Sequence, residues 1–293
     1  MLTFASGGEV LALAQKEGLS LGRLALRWES EQAGETEDLL MARMAERLKV
    51  MRAAVERGLR GEDRSPSGLA GGQARLVWEA AANPRVGGAT LTRAAARALA
   101  VAEVNACMGR IVAAPTAGSC GIVPGVLLTV AEEREKGEED LVLALFTAGL
   151  IGYLIARRAN LAGAAGGCQA ECGAAASMAA AAAVELAGGS PEQALNAAAI
   201  SLKGSLGLVC DPVAGLVEVP CIKRNALGAA NALTAAEMSL AGVKSAIPFD
   251  EVVDAMAAVG RSLPRELKET ALGGCAATPT GKAIKKSLCG KPD

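Results

Sequence analysis

The chain has 293 residues, of which 51% are hydrophobic and only 2% aromatic. Its 30 Lys and Arg nearly balance 31 Asp and Glu, leaving a net charge of −1 and no basic stripe with interleaved aromatics, so nucleic acid is not an expected partner. Because the sequence has no histidine, a Ser-His-Asp triad and a zinc site with histidine ligands are excluded within this chain.

The apolar content predicts an all-α fold. Alanine, the strongest helix former, supplies much of it, and residues that favour strands are comparatively scarce. We expect a single compact helical domain with Gly/Pro-rich active-site loops between helices. We expect residues 1–60 to form an N-terminal helical segment and residues 61–293 to form a second helical region continuous with it.

The first half of residues 61–293 contains two candidate ligand loops. Residues 61–72, GEDRSPSGLAGG, are rich in residues that break regular structure. A helix predicted over Thr90–Met108, with Arg93 and Arg97 facing outward, leads into residues 111–124, IVAAPTAGSCGIVP. There GSCG precedes an apolar helix and offers free backbone N–H groups. The turn lacks the lysine of phosphate-binding loops, so a small carboxylate is the expected ligand.

The second half alternates helices with one long loop. Helices are predicted at about residues 141–158, 173–187, 191–203 and 224–241, and from Pro248 to near Gly260. Ser190 and Pro191 are typical of a helix start, since serine caps the helix and proline fits its first turn. Residues 207–225, GLVCDPVAGLVEVPCIKRN, are interpreted as an ordered, buried loop.

Neither apolar stretch is typical of a membrane span. Ile111–Ala131 is interrupted by prolines and glycines, and Leu141–Ala156 is short for a bilayer, so we expect no membrane association. The N-terminus lacks the charged region and apolar core of a signal peptide, which favours a cytoplasmic location.

Eight cysteines stand at positions 107, 120, 168, 172, 210, 221, 275 and 289. In a reducing compartment they are either small buried hydrophobic residues or ligands of a metal or cluster, not a disulfide framework. Cys168 follows Gly166 and Gly167, which leave room for a bulky cluster, while Cys210 and Cys221 lie in the Pro-rich loop. Their spacing differs from the ferredoxin pattern.

Three segments resemble one family. GGCQAECGAAASMAAAAAVE, GLVCDPVAGLVEVPCIKRNA and EVNACMGRIVAAPTAGSCGIVPG are similar to the iron–sulfur-dependent L-serine dehydratases, above all to the alpha chain of their two-subunit form. The resemblance runs from about Ser65 to Lys282. It implies that Cys168, Cys210 and Cys221 bind a [4Fe–4S] cluster.

The resemblance also implies an activity. The family is a group of lyases that convert L-serine to pyruvate and ammonia, in amino-acid degradation and gluconeogenesis, with one cluster iron acting as a Lewis acid. Both candidate loops resemble the family's corresponding segments. We therefore expect Ser67, Thr116, Gly118 and Ser119 to bind substrate, and Asn105 and Asn225 to fix the loops by hydrogen bonding.

The general base is not identified in this chain. Single-chain relatives carry a further N-terminal domain with a serine- and histidine-containing motif, so we expect a beta subunit with that motif and a hetero-oligomer. Cys172 is interpreted as core filling. Whether Cys275 or Cys289 ever ligates the fourth iron stays open.

Two alternatives remain. L-Cysteine desulfidases look similar and eliminate sulfide in place of water, and threonine is a conceivable substrate. The other alternative is a non-catalytic cluster-binding protein or helical scaffold. Lys203 is near the Pro-rich loop in sequence and is interpreted as a solvated side chain.

Overall fold

The computed structural model describes residues 2–290, and within them it contains helices and no β-strand, so the all-α prediction is confirmed. The helices are α1 (Gly7–Glu17), α2 (Leu21–Ala33), α3 (Glu37–Arg60), α4 (Gln73–Ala80), α5 (Gly88–Ala106), α6 (Ile122–Glu133), α7 (Glu138–Arg158), α8 (Gly163–Gly166), α9 (Ala174–Leu186), α10 (Pro191–Lys203), α11 (Cys221–Leu240), α12 (Phe249–Ser262) and α13 (Pro279–Cys289). The loops contain a π-helical turn (Gln169–Gly173) and short 3-10 segments (Ala117–Ser119, Val213–Gly215, Arg265–Leu267, Gly274–Ala277).

Helix α9 is the centre of the core. It packs against α6, α7, α10 and α11, and every residue in it except Glu185 is buried. Its many alanines let neighbouring backbones approach closely, which is the packing that the composition predicts. Glu185 accepts hydrogen bonds from the hydroxyls of Ser20 and Thr147, both at 2.8 Å, so this carboxylate links α9 to α7 and to the start of α2.

The start of a helix could be predicted where its capping residues are neighbours in sequence. The Ser190 hydroxyl oxygen accepts from the Gln193 backbone amide, and the Gln193 side-chain oxygen accepts from the Ser190 backbone amide. Helix α10 therefore begins as predicted. Helix α4 was not predicted, because its start depends on a distant residue. The buried Glu103 carboxylate of α5 accepts from the backbone N–H groups of Gln73 and Ala74.

The predicted outward orientation of Arg97 is wrong. This side chain is buried, donates to the Thr129 hydroxyl at 2.8 Å and pairs with Glu132, both on α6. Its guanidinium also lies 5.1 Å from the ring centre of Trp78. The reason is tertiary: α6 and α4 both pack against α5 and supply partners that the periodicity of α5 does not reveal.

One described helix, α7, is long and apolar enough to cross a membrane. In this structure 67% of its most apolar window is buried by the rest of the fold. A mostly buried core helix can have the same length and apolar composition as a membrane-spanning helix.

We expect Gly58→Ala to destabilise the fold and Gly149→Ala to stabilise it. A Cβ at Gly58 would overlap the backbone of Ala100, where α3 crosses α5, at an expected cost of about 1–3 kcal/mol. Gly149 is exposed inside α7 with nothing near its added Cβ, so alanine should contribute about 0.5–1 kcal/mol. Urea unfolding followed by circular dichroism measures both. A Gly58→Ala variant as stable as the parent would contradict this close approach.

The fold brings several loops to one place. The 3-10 turn before α6 contacts the π-helical turn before α9. Helix α11 contacts both turns. Cys168 precedes the π-helical turn, and Cys221 is the first residue of α11. Segments far apart in sequence thus meet at the ends of neighbouring core helices.

Candidate functional site

Three cysteine sulfurs lie within electrostatic reach of one another. Burial is the main cause that raises the pKa of Cys210 and of Cys221; the charge of Cys168 adds to both shifts, and the charge of Cys221 adds to that of Cys210. Cys168 and Cys210 are buried, and Cys221 is half-buried. The three residues predicted as cluster ligands therefore share one region, although they come from three separate segments.

Burial sets the protonation of two of these thiols. It raises the pKa of Cys221 to about 12 and raises that of Cys210 as well. Cys168 differs, since a hydrogen bond with the Cys172 thiol and the charge of Arg224 lower its pKa. Because metal-bound cysteine is a thiolate, loading a cluster here must release protons, and its affinity should rise with pH.

Arg224 joins the Pro-rich loop to α11. Its Nη1 donates to the Val209 carbonyl at 2.7 Å, and its Nη2 lies 2.8 Å from Asp211 Oδ1 in an ion pair that is close but poorly aligned for a hydrogen bond. Asp211 Oδ2 accepts from the Cys275 backbone amide at 2.6 Å. The cation beside the thiols thus also helps hold the C-terminal tail, through Asp211. The thiol-bearing residue Cys275 is exposed.

A carboxylate that sequence reasoning missed, Glu171, lies beside the thiols. Thr116 donates its hydroxyl to Glu171 Oε1 at 2.8 Å, and the Cys210 sulfur lies 3.9 Å from Oε2. A Cβ at Gly118 would come within 3.1 Å of the carboxylate, and one at Gly163 within 2.5 Å, so both glycines leave room for it. Burial raises the pKa of Glu171. Its only sequence signal was its place inside QAEC, between two cysteines.

A second carboxylate, Glu218, binds the loop of Ser67. Ser67 donates to both oxygens of Glu218, at 2.7 and 2.8 Å, and Ser65 donates to one of them at 2.6 Å. Glu218 is only 4% exposed and was not predicted as a site residue. Ser67 is thereby fixed to the loop that carries Cys210.

The turn predicted to bind substrate is held from several sides. Ser119 is fully buried, and its hydroxyl lies 3.2 Å from that of Thr116. Asn225 donates to the Gly118 carbonyl at 2.8 Å and accepts from the Gly121 amide at 2.9 Å. Asn105 donates to the Ala117 carbonyl at 3.2 Å. Both asparagines therefore make the loop-fixing bonds expected of them. The Gly121 amide is already engaged, and substrate binding by the turn stays a prediction.

Gly167 has a different role from the one expected of it. Its φ of +77° and ψ of 179° are a conformation open essentially to glycine alone. A Cβ there would stand 2.6 Å from a Leu263 methyl and 2.8 Å from the Leu208 carbonyl. The glycine thus allows close packing against residues 208–209 and 263, and the space it leaves is not space for a cluster.

The remaining candidates have mixed outcomes. Cys172 and Cys120 are buried in the core. Lys203 donates to the Ser245 hydroxyl at 2.9 Å and forms no ion pair with a carboxylate of residues 2–290. The side chain of Cys289 lies outside the described residues.

The donor set fits a cluster better than a single ion. Within residues 2–290 no three Cys, Asp or Glu side chains converge tightly enough to hold one metal ion. A cubane distributes its thiolates over different irons, so its cysteines need not converge on one point. Three thiols from separate segments, next to a half-buried cation that offsets thiolate charge, meet that requirement. The assignment of Cys168, Cys210 and Cys221 as ligands stays a prediction.

Replacing Asn225 with leucine should loosen the site. The change would leave the Gly121 amide and the Gly118 and Cys221 carbonyls without this partner in a buried place, at a cost of roughly 2–4 kcal/mol. Asn231→Leu is the matched control, because the half-buried Asn231 makes one such bond, to Ser201, worth about 1 kcal/mol. Urea unfolding compares the two, and equal losses would argue against a special role for Asn225.

The chain is similar to named proteins over nearly its whole length. Residues 16–276 match the family model described as the serine dehydratase alpha chain. A probable L-serine dehydratase alpha chain of Bacillus subtilis is 48% identical, over 96% of this chain and 94% of that protein. The L-serine dehydratase alpha chain of Peptoniphilus asaccharolyticus is 42% identical, over 97% and 98%. The L-serine dehydratase of Streptomyces coelicolor is 42% identical over 93% of this chain, which covers 60% of that longer protein.

Proposed function

Because this chain belongs to the serine dehydratase alpha-chain family, we propose that it is the cluster-bearing subunit of an L-serine ammonia-lyase. The reaction eliminates water from L-serine, and the resulting aminoacrylate tautomerises to an imine that water hydrolyses to pyruvate and ammonia. The observation that carries the proposal is that three cysteines from separate segments share one region of the fold in a chain of this family.

Cys168, Cys210 and Cys221 would hold a [4Fe–4S] cluster. When bound, the cluster supplies a Lewis-acidic iron that makes the serine hydroxyl a better leaving group. Arg224 stabilises thiolate charge and holds the Cys210 loop against α11. The backbone of Cys210 is also paired with the tail, since its amide donates to the Leu267 carbonyl at 2.9 Å. These contacts keep the three thiols in place.

The substrate would bind between the two candidate loops. Glu218 fixes Ser67 beside the Cys210 loop, and Asn225 fixes the turn of Thr116, Gly118 and Ser119. Rigid positioning of both loops lowers the entropic cost of bringing a small substrate to the reacting position.

A partner subunit would complete the site. The chain has no histidine, and the general base expected from the resemblance belongs to a serine- and histidine-containing motif that this sequence does not carry. The relatives of similar length are named alpha chains, which supports a second chain, while the L-serine dehydratase of Streptomyces coelicolor is longer. We therefore propose a hetero-oligomer with a beta subunit, acting in the cytoplasm in serine degradation and in supplying pyruvate for gluconeogenesis.

The names of the relatives favour serine over the sulfide-eliminating alternative. The test is a side-by-side assay of the anaerobically prepared complex with L-serine, L-cysteine and L-threonine, measuring the 2-oxo acid and ammonia. Pyruvate release fastest from L-serine, in equal amounts with ammonia, supports the proposal. Sulfide and pyruvate formed preferentially from L-cysteine would overturn it.

A further inference from the structure

The α-ammonium group of L-serine is a positive charge that a half-buried site must match with an anion. Resting on the function proposed above, we infer that the Glu171 carboxylate receives this ammonium group and so selects amino acids over 2-hydroxy acids. Glu171 is a substrate-positioning group in this account, separate from the cysteines that hold the cluster.

Its position supports this role. Glu171 lies on the π-helical turn three residues after Cys168, with one oxygen 2.8 Å from the Thr116 hydroxyl and the other 3.9 Å from the Cys210 sulfur. The carboxylate therefore stands between the turn expected to bind substrate and the thiols. π-Helical turns within helices are frequently found at functional sites.

Glu171 also lacks a cation of its own. No lysine or arginine of residues 2–290 forms an ion pair with it, and the influences on its pKa are burial, Thr116, Glu269 and Cys210. Two other carboxylates in this region have more partners: Asp211 forms an ion pair with Arg224 and accepts from the Cys275 amide, and Glu218 accepts from Ser65 and Ser67. A half-buried carboxylate with a single hydroxyl donor and one weak thiol contact still has acceptor capacity for a cationic group.

The neighbouring glycines let the Glu171 carboxylate approach two backbone segments closely. Added Cβ atoms at Gly118 and Gly163 would approach opposite oxygens of Glu171, at 3.1 and 2.5 Å. Like-charge repulsion keeps the carboxylate of serine away from this point. The part played by Thr116 and Gly118 therefore shifts from binding the substrate carboxylate to holding the partner of its ammonium group.

The experiment compares L-alanine with L-lactate as ligands of the anaerobic, cluster-loaded complex. Both have the configuration of L-serine and no β-leaving group, and they differ in carrying an ammonium or a hydroxyl group. Titration calorimetry and inhibition of serine turnover give their affinities. For Glu171→Gln we expect roughly 10- to 100-fold weaker binding of L-alanine, as for loss of a charge-assisted bond, with L-lactate changed by no more than about twofold.

Glu269→Gln is the matched control. Glu269 is exposed, and its charge adds to the effect of burial in raising the pKa of Glu171 and Cys210, whereas the Thr116 hydroxyl donates to Glu171. This variant should leave the ratio of alanine to lactate affinity within about twofold, because it removes a nearby charge and no direct contact. An equal loss of L-alanine binding in both variants would overturn the inference. It would show that the total negative charge of the region, and not a direct contact with Glu171, attracts the ammonium group.

Other outcomes are also decisive. If Glu171→Gln binds L-alanine and L-lactate with the parent's ratio, Glu171 does not receive the ammonium group. If the variant loses iron, Thr116→Val provides the second test, since it frees the carboxylate from its orienting bond, and an unchanged ratio there overturns the inference. A parent complex that neither binds L-alanine nor releases pyruvate from L-serine contradicts the proposed function itself, which is a distinguishable failure.

Discussion

Replacing Cys168, Cys210 or Cys221 with alanine, one at a time, should lower turnover of L-serine by about a thousandfold or more. A bound metal acting as a Lewis acid contributes several kcal/mol to transition-state stabilisation, and each 1.36 kcal/mol corresponds to a factor of ten. Because the three thiols act on one group, the variants should lose similar amounts, and double variants should lose little more. Iron and sulfide per chain, together with kcat, provide the measurement.

Cys172→Ala is the matched control for Cys168→Ala. Cys168 immediately precedes the π-helical turn, Cys172 lies within it, and both residues are buried. If Cys172 only fills the core, its replacement should cost about 1 kcal/mol of stability and leave iron content unchanged. Loss of iron from Cys172→Ala with retention in Cys168→Ala would reverse the assignment. Retention of the cluster in all three of the first variants would refute it.

The second large effect concerns the partner subunit. The isolated chain should turn over L-serine at least about a hundredfold more slowly than the complex, because a positioned general base contributes typically 10²–10⁴-fold. Histidine is the commonest general base in enzymes, and this chain has none. Expressing the chain alone and with a second chain carrying the serine- and histidine-containing motif, then assaying pyruvate at equal iron content, measures the difference.

The control is a partner subunit whose motif histidine is replaced by alanine. It separates a catalytic role of the partner from a stabilising effect on this chain. It should restore the iron content and the stability of the complex without restoring turnover. Full activity from the isolated chain would contradict the two-subunit account and would direct attention to a base within this chain. Activity restored equally by the histidine-deficient partner would show that the partner acts through structure alone.

Features encoded by neighbouring residues could be predicted from the sequence. The start of α10 is one, because Ser190, Pro191 and Gln193 make the cap within a single turn. Residues 61–72 are outside any helix for the same reason, since glycine, proline and serine act locally. Helix α11 begins at Cys221, earlier than predicted, because a buried loop and an apolar helix have no clear compositional boundary there.

Features that depend on long-range partners could not be predicted. The buried position of Arg97 requires Thr129 and Glu132 from α6, and the start of α4 requires Glu103. An exposed arginine and an unstructured segment are the ordinary interpretations of those residues alone. Both of these errors therefore come from a polar side chain whose partner is more than 25 positions away.

The same distinction applies to the site. The unusual glycine and proline surroundings of the cysteines, with the family resemblance, were enough to select three thiols that the fold brings into one region. Glu171 and Glu218 were missed because a glutamate in a helical or loop segment is ordinarily solvated. Only the contacts of Glu171 with Thr116, and of Glu218 with Ser67, identify them as part of the site.

The most direct test is ⁵⁷Fe Mössbauer spectroscopy of the anaerobic complex, recorded with and without L-serine. The account predicts one [4Fe–4S] cluster per chain in which a single iron, lacking a thiolate from Cys168, Cys210 or Cys221, changes its isomer shift and quadrupole splitting when L-serine is added. Four irons that all remain unchanged in the presence of L-serine, or a catalytically active complex without iron, would contradict it.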